Sequence, residues 1–397
     1  MRIFRRREGW PQGAAGRNIP LLYTMALLQG MVFYSPVATL YRQAAGITLL
    51  QMGVIESLSL ALALGLEVPW GAAADRLGHR RTVVLCTAVY AVSKVVFWRA
   101  ETFGGFLAER LLLAVSVSGL SGCDSALLYA SCGRDGDHRK VFSHWSACQT
   151  AGLLAAGLLW PLLGGRYRLA ALLTVFTYAG AALCALFLAE PPEEAEREKR
   201  ERGSLSAAFR RTVQILPLLL AFCLLEEAGN EVTIFLSQLQ YLRAGIPQAL
   251  FGPAFALVTA VGLLGGVSHR LTGRLGVGRA GTALFLLPGA ACLLMALWSG
   301  PVAALAGVVT TAACRAMAAP LSLSLQNERV EGSGRALQLS CNAMVIDLGA
   351  ALLYPAFGAC ADRSVSLALL LAAGCCGAGL ALFLLGLRGS QPAVDRG

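Results

Sequence analysis

Apolar residues occur along the whole chain in long runs, and short polar segments separate these runs. A helical run of about 20 residues rises about 30 Å, which matches the hydrocarbon core of a bilayer. Each such run must be a helix, because backbone polar groups in lipid need partners within the same segment. The pattern therefore predicts twelve transmembrane helices, at residues 19–41, 48–71, 81–99, 103–130, 141–163, 168–189, 213–240, 248–269, 279–298, 301–325, 336–358 and 365–387.

The longest polar segment follows the sixth predicted span and divides the chain into two halves. We expect an N-terminal half at 1–189, a charged linker at 190–211 and a C-terminal half at 212–397. The two halves also repeat weakly, because a constant offset of 194 residues aligns Gly71 with Gly265 and Pro161 with Pro355. Parallel repeats of six helices are an architecture of membrane transporters.

Composition and charge agree with this pattern. The chain is 56% hydrophobic and only 14% charged, where soluble proteins carry about 25% charged residues. Of its 33 Lys and Arg residues, 24 fall on the side of the predicted membrane that holds both termini, and 6 fall on the other side. Positive residues concentrate on the cytoplasmic side. We therefore expect a multi-pass protein of the bacterial inner (cytoplasmic) membrane with cytoplasmic termini, and the net charge of +10 does not indicate nucleic-acid binding.

The polar segment "GAAADRLGHRR" lies between the second and third predicted spans. It resembles the signature loop of the major facilitator superfamily, although His79 stands where that family usually has arginine. The stretches "EVPWGAAADR" and "SGCDSALLYAS" resemble a bacterial branch of the same family. The resemblance implies an all-α membrane protein of twelve helices in two pseudo-repeated halves. It also implies that the loop latches the two halves on the cytoplasmic side in the outward-open state, a role that falls to Gly71, Asp75, Arg76, Gly78 and Arg80.

Two departures accompany this resemblance. At the offset of 194 residues, the second-half copy "GGVSHRLTGRLG" has His269 in the place of Asp75. In the fifth span, "GLLWPLLGG" matches the glycine-rich ending of family antiporters at Pro161, Gly164 and Gly165, but Trp160 replaces a glycine. The partial match favours export over uptake. In the loop itself, we expect Gly71 to permit close helix approach and Glu67 to pair with the loop arginines.

Ionisable residues inside the predicted spans are the strongest functional signal, because each is costly in the membrane unless it is paired or solvated. The spans hold eight acids and only three bases, so at least five acids lack a basic partner there. Those acids must be protonated, reach a water-filled cavity or meet a cation. The acids are Glu56, Glu67, Glu109, Asp124, Glu226, Glu227, Glu231 and Asp347, and the bases are Lys94, Arg110 and Arg315.

The seventh span holds the richest cluster, in "CLLEEAGNEV". Glu227 and Glu231 are four residues apart and share one helix face, while Glu226 and Asn230 share another. Burial and mutual repulsion favour the protonated carboxyl form, which suits a proton carrier. The resemblance places helices 1, 4, 7 and 10 around a central cavity, so this cluster is predicted to bind substrate or proton. A helix-packing charge pair is the alternative.

Other polar residues in the spans have open roles. Arg315 of helix 10 is expected to pair with a helix 7 carboxylate or with Asp347, as a switch or as a fixed structural pair. Asp124 of helix 4 is a candidate for the cavity. Gln29 and Tyr34 of helix 1 either face the cavity or pack. The remaining charges, Glu56, Lys94, Glu109 and Arg110, lie at similar depth and suggest a structural network, although Arg110 also resembles an arginine that family antiporters use in proton coupling.

These patterns together predict a secondary transporter that works by alternating access, with proton-coupled export of a small amphipathic or drug-like solute. The alternatives are proton-coupled uptake of a small nutrient or metabolite, and a non-transporting receptor or scaffold on the same fold. An enzyme is not indicated, because no nucleophile–base pair, metal-ligand spacing or phosphate-binding loop is present. We expect no cofactor beyond the proton gradient, a small-molecule substrate and the lipid bilayer as partners, no nucleic acid, and a monomer.

Overall fold

The computed structural model describes residues 15–132, 137–190, 205–329 and 335–388, and in these ranges the chain is almost entirely helical. The helices are α1 (Asn18–Gly30), α2 (Ala38–Ala44), α3 (Leu49–Leu77), α4 (His79–Arg99), α5 (Phe103–Leu120), α6 (Cys123–Cys132), α7 (His138–Leu159), α8 (Tyr167–Leu186), α9 (Leu205–Gln214), α10 (Leu216–Asn230), α11 (Ser237–Arg243), α12 (Phe251–Val261), α13 (Ser268–Leu297), α14 (Pro301–Asn327), α15 (Arg335–Arg363) and α16 (Val365–Arg388).

Ten helical segments in the described ranges are long and apolar enough to cross a membrane. One of them, Gln248–Leu297, has 50 residues and contains Gly276 in a non-helical conformation. The segment that spans 213–240 does not belong to the ten, and it carries three glutamates. The protein is therefore a multi-pass helical membrane protein, and the count of twelve spans stays a prediction.

Several predicted spans are broken inside the structure. The first one, 19–41, divides into α1 and α2, with a turn and a 3₁₀ segment between Gly30 and Ala38. Pro36 lies in this break, where its missing N–H leaves no helical hydrogen bond unmade. The fourth span, 103–130, breaks between α5 and α6, where Gly122 has φ of 82°. A positive φ favours glycine, which has no Cβ to clash.

The described helices form two compact units. The first contains the described residues of Met1–Pro36 and Leu58–Glu198, and the second those of Val37–Ser57 and Lys199–Gly397. Helix α3 therefore contributes its first part to the second unit and the rest to the first. The sequence prediction of halves separated by a linker stays a prediction. Of that linker, residues 191–204 lie outside the described residues, while α9 begins at Leu205.

Each unit has its own packed core. In the first unit, Ile19 and Leu22 of α1 pack with Val83 of α4 and with Leu127 and Leu128 of α6. Helices α1 and α7 cross closely there, because a Cβ on Gly30 or on Gly152 would meet backbone atoms of the other helix. In the second unit, three phenylalanine rings from α10, α13 and α16 pack with centroids 5.4–5.8 Å apart. They are Phe222, Phe285 and Phe383.

The structure corrects the register of the internal repeat. Gly78, between α3 and α4, has φ 85° and ψ 153°, and Gly276 in the second unit has φ 74° and ψ 158°. Matching these two glycines gives an offset of 198 residues, which aligns the Arg-Leu-Gly tripeptides 76–78 and 274–276. Gly273 then stands in the place of Asp75, whereas the constant offset of 194 had placed His269 there. The backbone conformation that Gly78 and Gly276 share fixes the register of the repeat, and matching of residue types alone does not contain this information.

Candidate functional site

The acidic cluster of the seventh predicted span lies where α10 changes its helical form. Regular α-helix ends at Asn230, π-helix runs from Glu231 to Leu236, and α11 continues from Ser237. A short π-helical insertion widens the helix by one residue in a turn and occurs frequently at functional sites. The three glutamates therefore fall on both sides of this change, with Glu226 and Glu227 in α10 and Glu231 as the first π-helical residue.

Glu226 forms an ion pair with Arg315 of α14. Arg315 Nε donates to Glu226 Oε1 at 2.7 Å, and one of its terminal nitrogens lies 3.5 Å from Thr233 Oγ1. A Cβ on Gly229 would lie 3.0 Å from Arg315 Cδ, so the glycine leaves room for the arginine to cross α10. The two charged side chains are about one third exposed, 37% for Glu226 and 31% for Arg315. The predicted pairing of Arg315 with a helix 7 carboxylate is confirmed in this geometry.

Glu227 has a different partner. Its buried carboxylate accepts a hydrogen bond from the Tyr354 hydroxyl of α15. The other oxygen, Oε2, is buried and has no hydrogen-bond partner among the described residues. Asp347 of α15 and Arg315 also interact electrostatically with Glu227. This arrangement joins α10, α14 and α15 through one carboxylate that is only partly satisfied.

Glu231 is the most isolated acid of the cluster. It is 7% exposed, and no described residue gives it a hydrogen bond or an ion pair. Its charged neighbours are acidic, namely Glu56 of α3 and Glu227. Glu231, Glu56 and Tyr354 line a cavity of about 20 Å³, whose other lining residues are apolar or glycine. Glu56 pairs with Arg42 of α2, with Nη1 and Oε1 3.3 Å apart, and both side chains are buried.

The crossing of α3 and α15 positions Glu56 beside Tyr354. A Cβ on Gly53 would overlap the backbone of Tyr354, and a Cβ on Gly358 would overlap the backbone at Leu49. The Asp362 carboxylate accepts hydrogen bonds from the Leu49 and Leu50 amides, at 2.7 and 2.9 Å. A carboxylate is favourable at a helix N-terminus, so it fixes the beginning of α3 against α15.

The first unit holds a separate charge pair. Lys94 Nζ lies 3.1 Å from Glu109 Oε1 and 3.1 Å from the Tyr34 hydroxyl. The ammonium also lies 5.1–5.8 Å from the ring centroids of Tyr34, Tyr90 and Tyr178. Cation–π contacts and the carboxylate together satisfy this buried cation. The expected structural network is thus present for Lys94 and Glu109 and includes Tyr34, while Glu56 pairs with Arg42 in the second unit instead.

The remaining predicted residues have less defined surroundings. Asp124 is half-buried in the first turn of α6 and accepts a hydrogen bond of 2.6 Å from the Ser125 amide. Gln29 is half-buried, and its Nε2 has no hydrogen-bond partner among the described residues. Asn230 is half-buried at the last residue of α10, and Arg110 is half-buried in α5. Their roles in binding stay predictions.

The signature loop is held mainly by Arg80. Its Nε and one terminal nitrogen donate to the Leu188 and Leu186 carbonyls, at 2.5 and 3.3 Å, at the C-terminal end of α8. A cation is favourable there because the last carbonyls of a helix have no helical partners. Arg80 thus joins the loop to α8 within the first unit, and the latch between halves stays a prediction.

One expectation for this region was wrong and another is not tested. A Cβ on Gly71 would meet no atom within 4 Å, and the close helix approach expected there stays a prediction with the latch. Glu67 is exposed, and no described residue pairs with it, so it does not partner the loop arginines. Asp75 and Arg76 are exposed as well, and Asp75 makes no hydrogen bond or ion pair with the described residues. The physical reason is the uninterrupted α3, which carries these side chains outward to its end at Leu77.

Sequence reasoning missed Arg42 and Tyr354. Arg42, one of the six basic residues that the sequence places on the side away from the termini, is 5% exposed and pairs with Glu56. Tyr354 stands next to Pro355, a residue that the repeat had aligned with Pro161, but nothing in the sequence links it to Glu227. The signal available in the sequence for this ion pair was that Arg42 and Glu56 are only 14 residues apart. These long apolar helices with ionisable groups held inside them define a multi-pass helical membrane protein.

Comparison with known families identifies the class further. Residues 21–352 match the family model of the Major Facilitator Superfamily. The chain belongs to this superfamily, and it is a membrane transporter rather than an enzyme.

Individual relatives are more distant. A stretch of 183 residues is 28% identical to the efflux pump azaK of Aspergillus niger and covers 42% of this chain but only 38% of that pump. Solved structures with a similar fold include the nucleoside transporter NupG, with a TM-score of 0.75, 14% identity and coverage of 95% of this chain and 100% of NupG.

Two further solved structures are similar. A bacterial homologue of the human lysosomal transporter Spinster has a TM-score of 0.70 and 16% identity, with 97% of this chain and 100% of that chain covered. A POT family transporter in complex with 5-aminolevulinic acid has a TM-score of 0.73 and 12% identity, with 96% and 99% covered. At these identities the likeness shows the fold alone.

Proposed function

We propose that the protein is a proton-coupled secondary transporter that works by alternating access and exports a small amphipathic or drug-like solute. The observation that carries the proposal is the buried Glu231, which lies in the predicted seventh span among acidic neighbours and has no basic partner in the described part of the chain. An ionised carboxylate in such a place is strongly disfavoured, so the group favours a bound proton. The proton gradient would supply the energy, and no cofactor is needed.

The Glu226–Arg315 pair is the candidate contact for the solute. Both side chains are about one third exposed although they lie in predicted spans. Exposure of a charged pair to lipid is costly, so a water-filled cavity is the environment that fits. A cationic solute that approaches Glu226 would replace Arg315 as its partner. The surplus of acids over bases in the spans also favours a cationic or neutral solute over an anion.

Export is supported by two observations. The partial antiporter motif "GLLWPLLGG" forms the end of α7 and a 3₁₀ turn, with Gly164 and Gly165 both at positive φ. The partial relative azaK is named an efflux pump. Uptake of a nutrient is the competing direction, while a non-transporting receptor or scaffold finds no support in the family. The proposal includes a bacterial inner membrane, a monomer and cytoplasmic termini, which lie outside the described residues.

A ligand screen on the purified protein tests the solute class. Thermal unfolding would be followed in detergent with tetraphenylphosphonium, a nucleoside, a sugar, an amino acid and an organic anion, in mildly acidic and mildly alkaline buffer. A ligand at about 100 times its dissociation constant adds about 2.7 kcal/mol of stability. We expect stabilisation by tetraphenylphosphonium, larger at alkaline pH because protons compete for the carboxylates, and lost in Glu226→Gln or Glu227→Gln. Stabilisation by the nucleoside, sugar, amino acid or anion alone would contradict export of a cation and favour uptake.

A further inference from the structure

The cavity beside Glu231 has a size and lining that restrict what it can hold. Its volume of about 20 Å³ is enough for about one water molecule. Three of its lining residues carry ionisable side chains, namely Glu56, Glu231 and Tyr354. The remaining lining residues are Leu49, Met52, Gly53, Phe235, Leu236, Phe357, Gly358 and Ala361.

This lining favours a proton over a metal ion. Hard cations such as Ca²⁺ take about 6–8 oxygen ligands, and three side chains in an otherwise apolar cavity do not supply them. A proton needs one acceptor. The Glu231 carboxylate is only 7% exposed and has no hydrogen-bond or ion-pair partner among the described residues. When two carboxylates share one site, like-charge repulsion disfavours ionisation of both. Because Glu56 in the same cavity is ion-paired with Arg42, the proton is expected on Glu231.

The charged groups around Glu231 do not compensate its charge. Glu56 of α3 is already paired with Arg42 of α2, and Glu227 of α10 is hydrogen-bonded by Tyr354 of α15. Arg315 of α14 forms its ion pair with Glu226. Every base near the cluster is therefore engaged with a carboxylate other than Glu231.

The beginning of α3 forms one wall of this cavity. Leu49, Met52, Gly53 and Glu56 all lie in the first part of α3 and line it. That part is held against α15 by the glycine contacts and by the Asp362 cap. Separation of α3 from α15 would bring water to Glu231, and this is the step at which a proton would enter or leave.

We propose that Glu231 and Glu56 form a dedicated proton-binding pair in this small cavity, with Arg42 as the group that sets the charge of Glu56, and that this pair is distinct from the Glu226–Arg315 pair that contacts solute. The inference rests on the proposed proton coupling and names its site. The roles of Glu56 and Arg42 are ones that family membership does not supply. In the bound state a proton from water sits on a Glu231 oxygen, and it returns to water when α3 leaves α15.

Infrared titration of the full-length protein in lipid vesicles tests the site without any solute. The carbonyl stretch of a protonated carboxyl group would be followed as pH rises. In the wild type we expect a band that persists at neutral pH and is missing in Glu231→Gln. Glu56→Gln should make the band vanish at a lower pH, because a negative neighbour is removed and Arg42 loses its partner. Arg42→Gln should do the opposite. A band unchanged in Glu231→Gln would overturn the assignment.

Controls separate the possible causes of a lost band. Glu101→Gln removes an exposed carboxylate that pairs with Arg168, and it should leave the band unchanged. Glu231→Asp keeps a carboxyl group and should restore a band, which excludes simple misfolding of Glu231→Gln. If Glu231→Gln does not fold, the opposite pH shifts of the band in Glu56→Gln and Arg42→Gln still test the proposed site. Loss of the band in Na⁺ buffer but not in choline buffer would show a sodium site and overturn the proposal.

A flux measurement distinguishes this inference from the proposed function. Ethidium flux driven by a pH gradient into vesicles tests proton-coupled transport, and the infrared band tests the site. If the wild type shows gradient-driven flux and Glu231→Gln changes neither the flux nor the infrared band, the proton site at Glu231 is refuted while the proposed transport function still holds. A band assigned to Glu231 without gradient-driven flux of ethidium would refute the proposed function instead.

Discussion

At the scale of single residues, the buried charges of the described residues include compensated ones, such as Lys94, and uncompensated ones, such as Glu231. Lys94 has a carboxylate, a hydroxyl and three aromatic rings around it. Glu231 has only acidic neighbours and a small cavity. Compensated charges hold a fold together, whereas an uncompensated carboxylate changes its charge when its surroundings change. This contrast separates structural ion pairs from candidate functional groups.

The Lys94–Glu109 pair should therefore be a stability element. Lys94→Met leaves Glu109 buried without its cation, and we expect a loss of about 3–5 kcal/mol. The double change Lys94→Met with Glu109→Leu should recover much of this loss, because no lone charge is left. Thermal and denaturant unfolding in detergent measures both. The matched control is Arg168→Gln, which breaks an exposed pair with Glu101 and should cost less than about 1 kcal/mol. A Lys94→Met loss as small as the control would contradict a structural role.

Gly229 should matter for Arg315 rather than for helix flexibility. A Cβ there lies 3.0 Å from Arg315 Cδ, so Gly229→Val would push the side chain away from Glu226. We expect the tetraphenylphosphonium dependence of thermal unfolding to change, because Glu226 is then free to bind a cation without displacing Arg315. Gly377→Val in α16 is the control, since a Cβ at Gly377 meets nothing within 4 Å. Identical ligand responses in the two variants would argue against this role of Gly229.

The sequence indicated which charged residues lie inside the predicted spans, but it did not indicate which residues they contact. An excess of acids in apolar runs is visible without a structure, and it indicated the cluster at Glu226, Glu227 and Glu231. The choice of Glu226 as partner of Arg315 depends on a contact across 89 residues and on the space at Gly229. The contact of Tyr354 with Glu227 was missed for the same reason, because hydrogen bonds between distant helices follow from packing and not from local sequence pattern.

At the scale of elements, close helix crossings at glycine position the site. Gly53→Ala or Gly358→Ala would force a Cβ into backbone atoms of the α3–α15 crossing. We expect a loss of about 1–3 kcal/mol in each, because overpacking moves backbone rather than a flexible side chain. Gly377→Ala serves as the matched helical control and should be neutral or stabilising. Equal unfolding temperatures for Gly358→Ala and Gly377→Ala would contradict the observed crossing.

The turn between α3 and α4 should depend on one glycine. Gly78 has φ 85° and ψ 153°, a region that is essentially restricted to glycine, and a residue with a Cβ there costs about 1–3 kcal/mol. Gly78→Ala should therefore lower the thermal stability of the protein, while Gly71→Ala should leave it unchanged or raise it. Gly71 lies inside α3 with open space around a Cβ. Thermal unfolding of the two variants side by side measures the difference, and a more stable Gly78→Ala would refute the conformational argument.

Element boundaries show what hydropathy can and cannot predict. Runs of apolar residues placed the membrane helices because burial in lipid depends on composition. The breaks at Gly30–Ala38 and at Gly122 lie inside those runs, where hydropathy does not change. The π-helix at Glu231–Leu236 has no sequence signal of its own. The repeat register was wrong for the same reason, since backbone conformation at Gly78 and Gly276 fixes it.

At the scale of the whole molecule, the two units carry different charge arrangements on a related helical pattern. The first unit has a neutral Lys94–Glu109 pair, whereas the second has the surplus carboxylates Glu227 and Glu231. The class of protein followed from sequence, because hydropathy and the signature loop are both local. Direction and solute do not follow from local features, because they depend on charges gathered by the fold.

The central claim is that a pH gradient drives solute movement through Glu231. The most direct measurement is ethidium accumulation in proteoliposomes of the full chain whose lumen is made acidic. We expect accumulation in the acidic lumen as protons leave, collapse of the accumulation when an ionophore removes the gradient, and loss of the coupling in Glu231→Gln but not in Glu101→Gln. Accumulation that ignores the gradient, or that persists unchanged in Glu231→Gln, would contradict it.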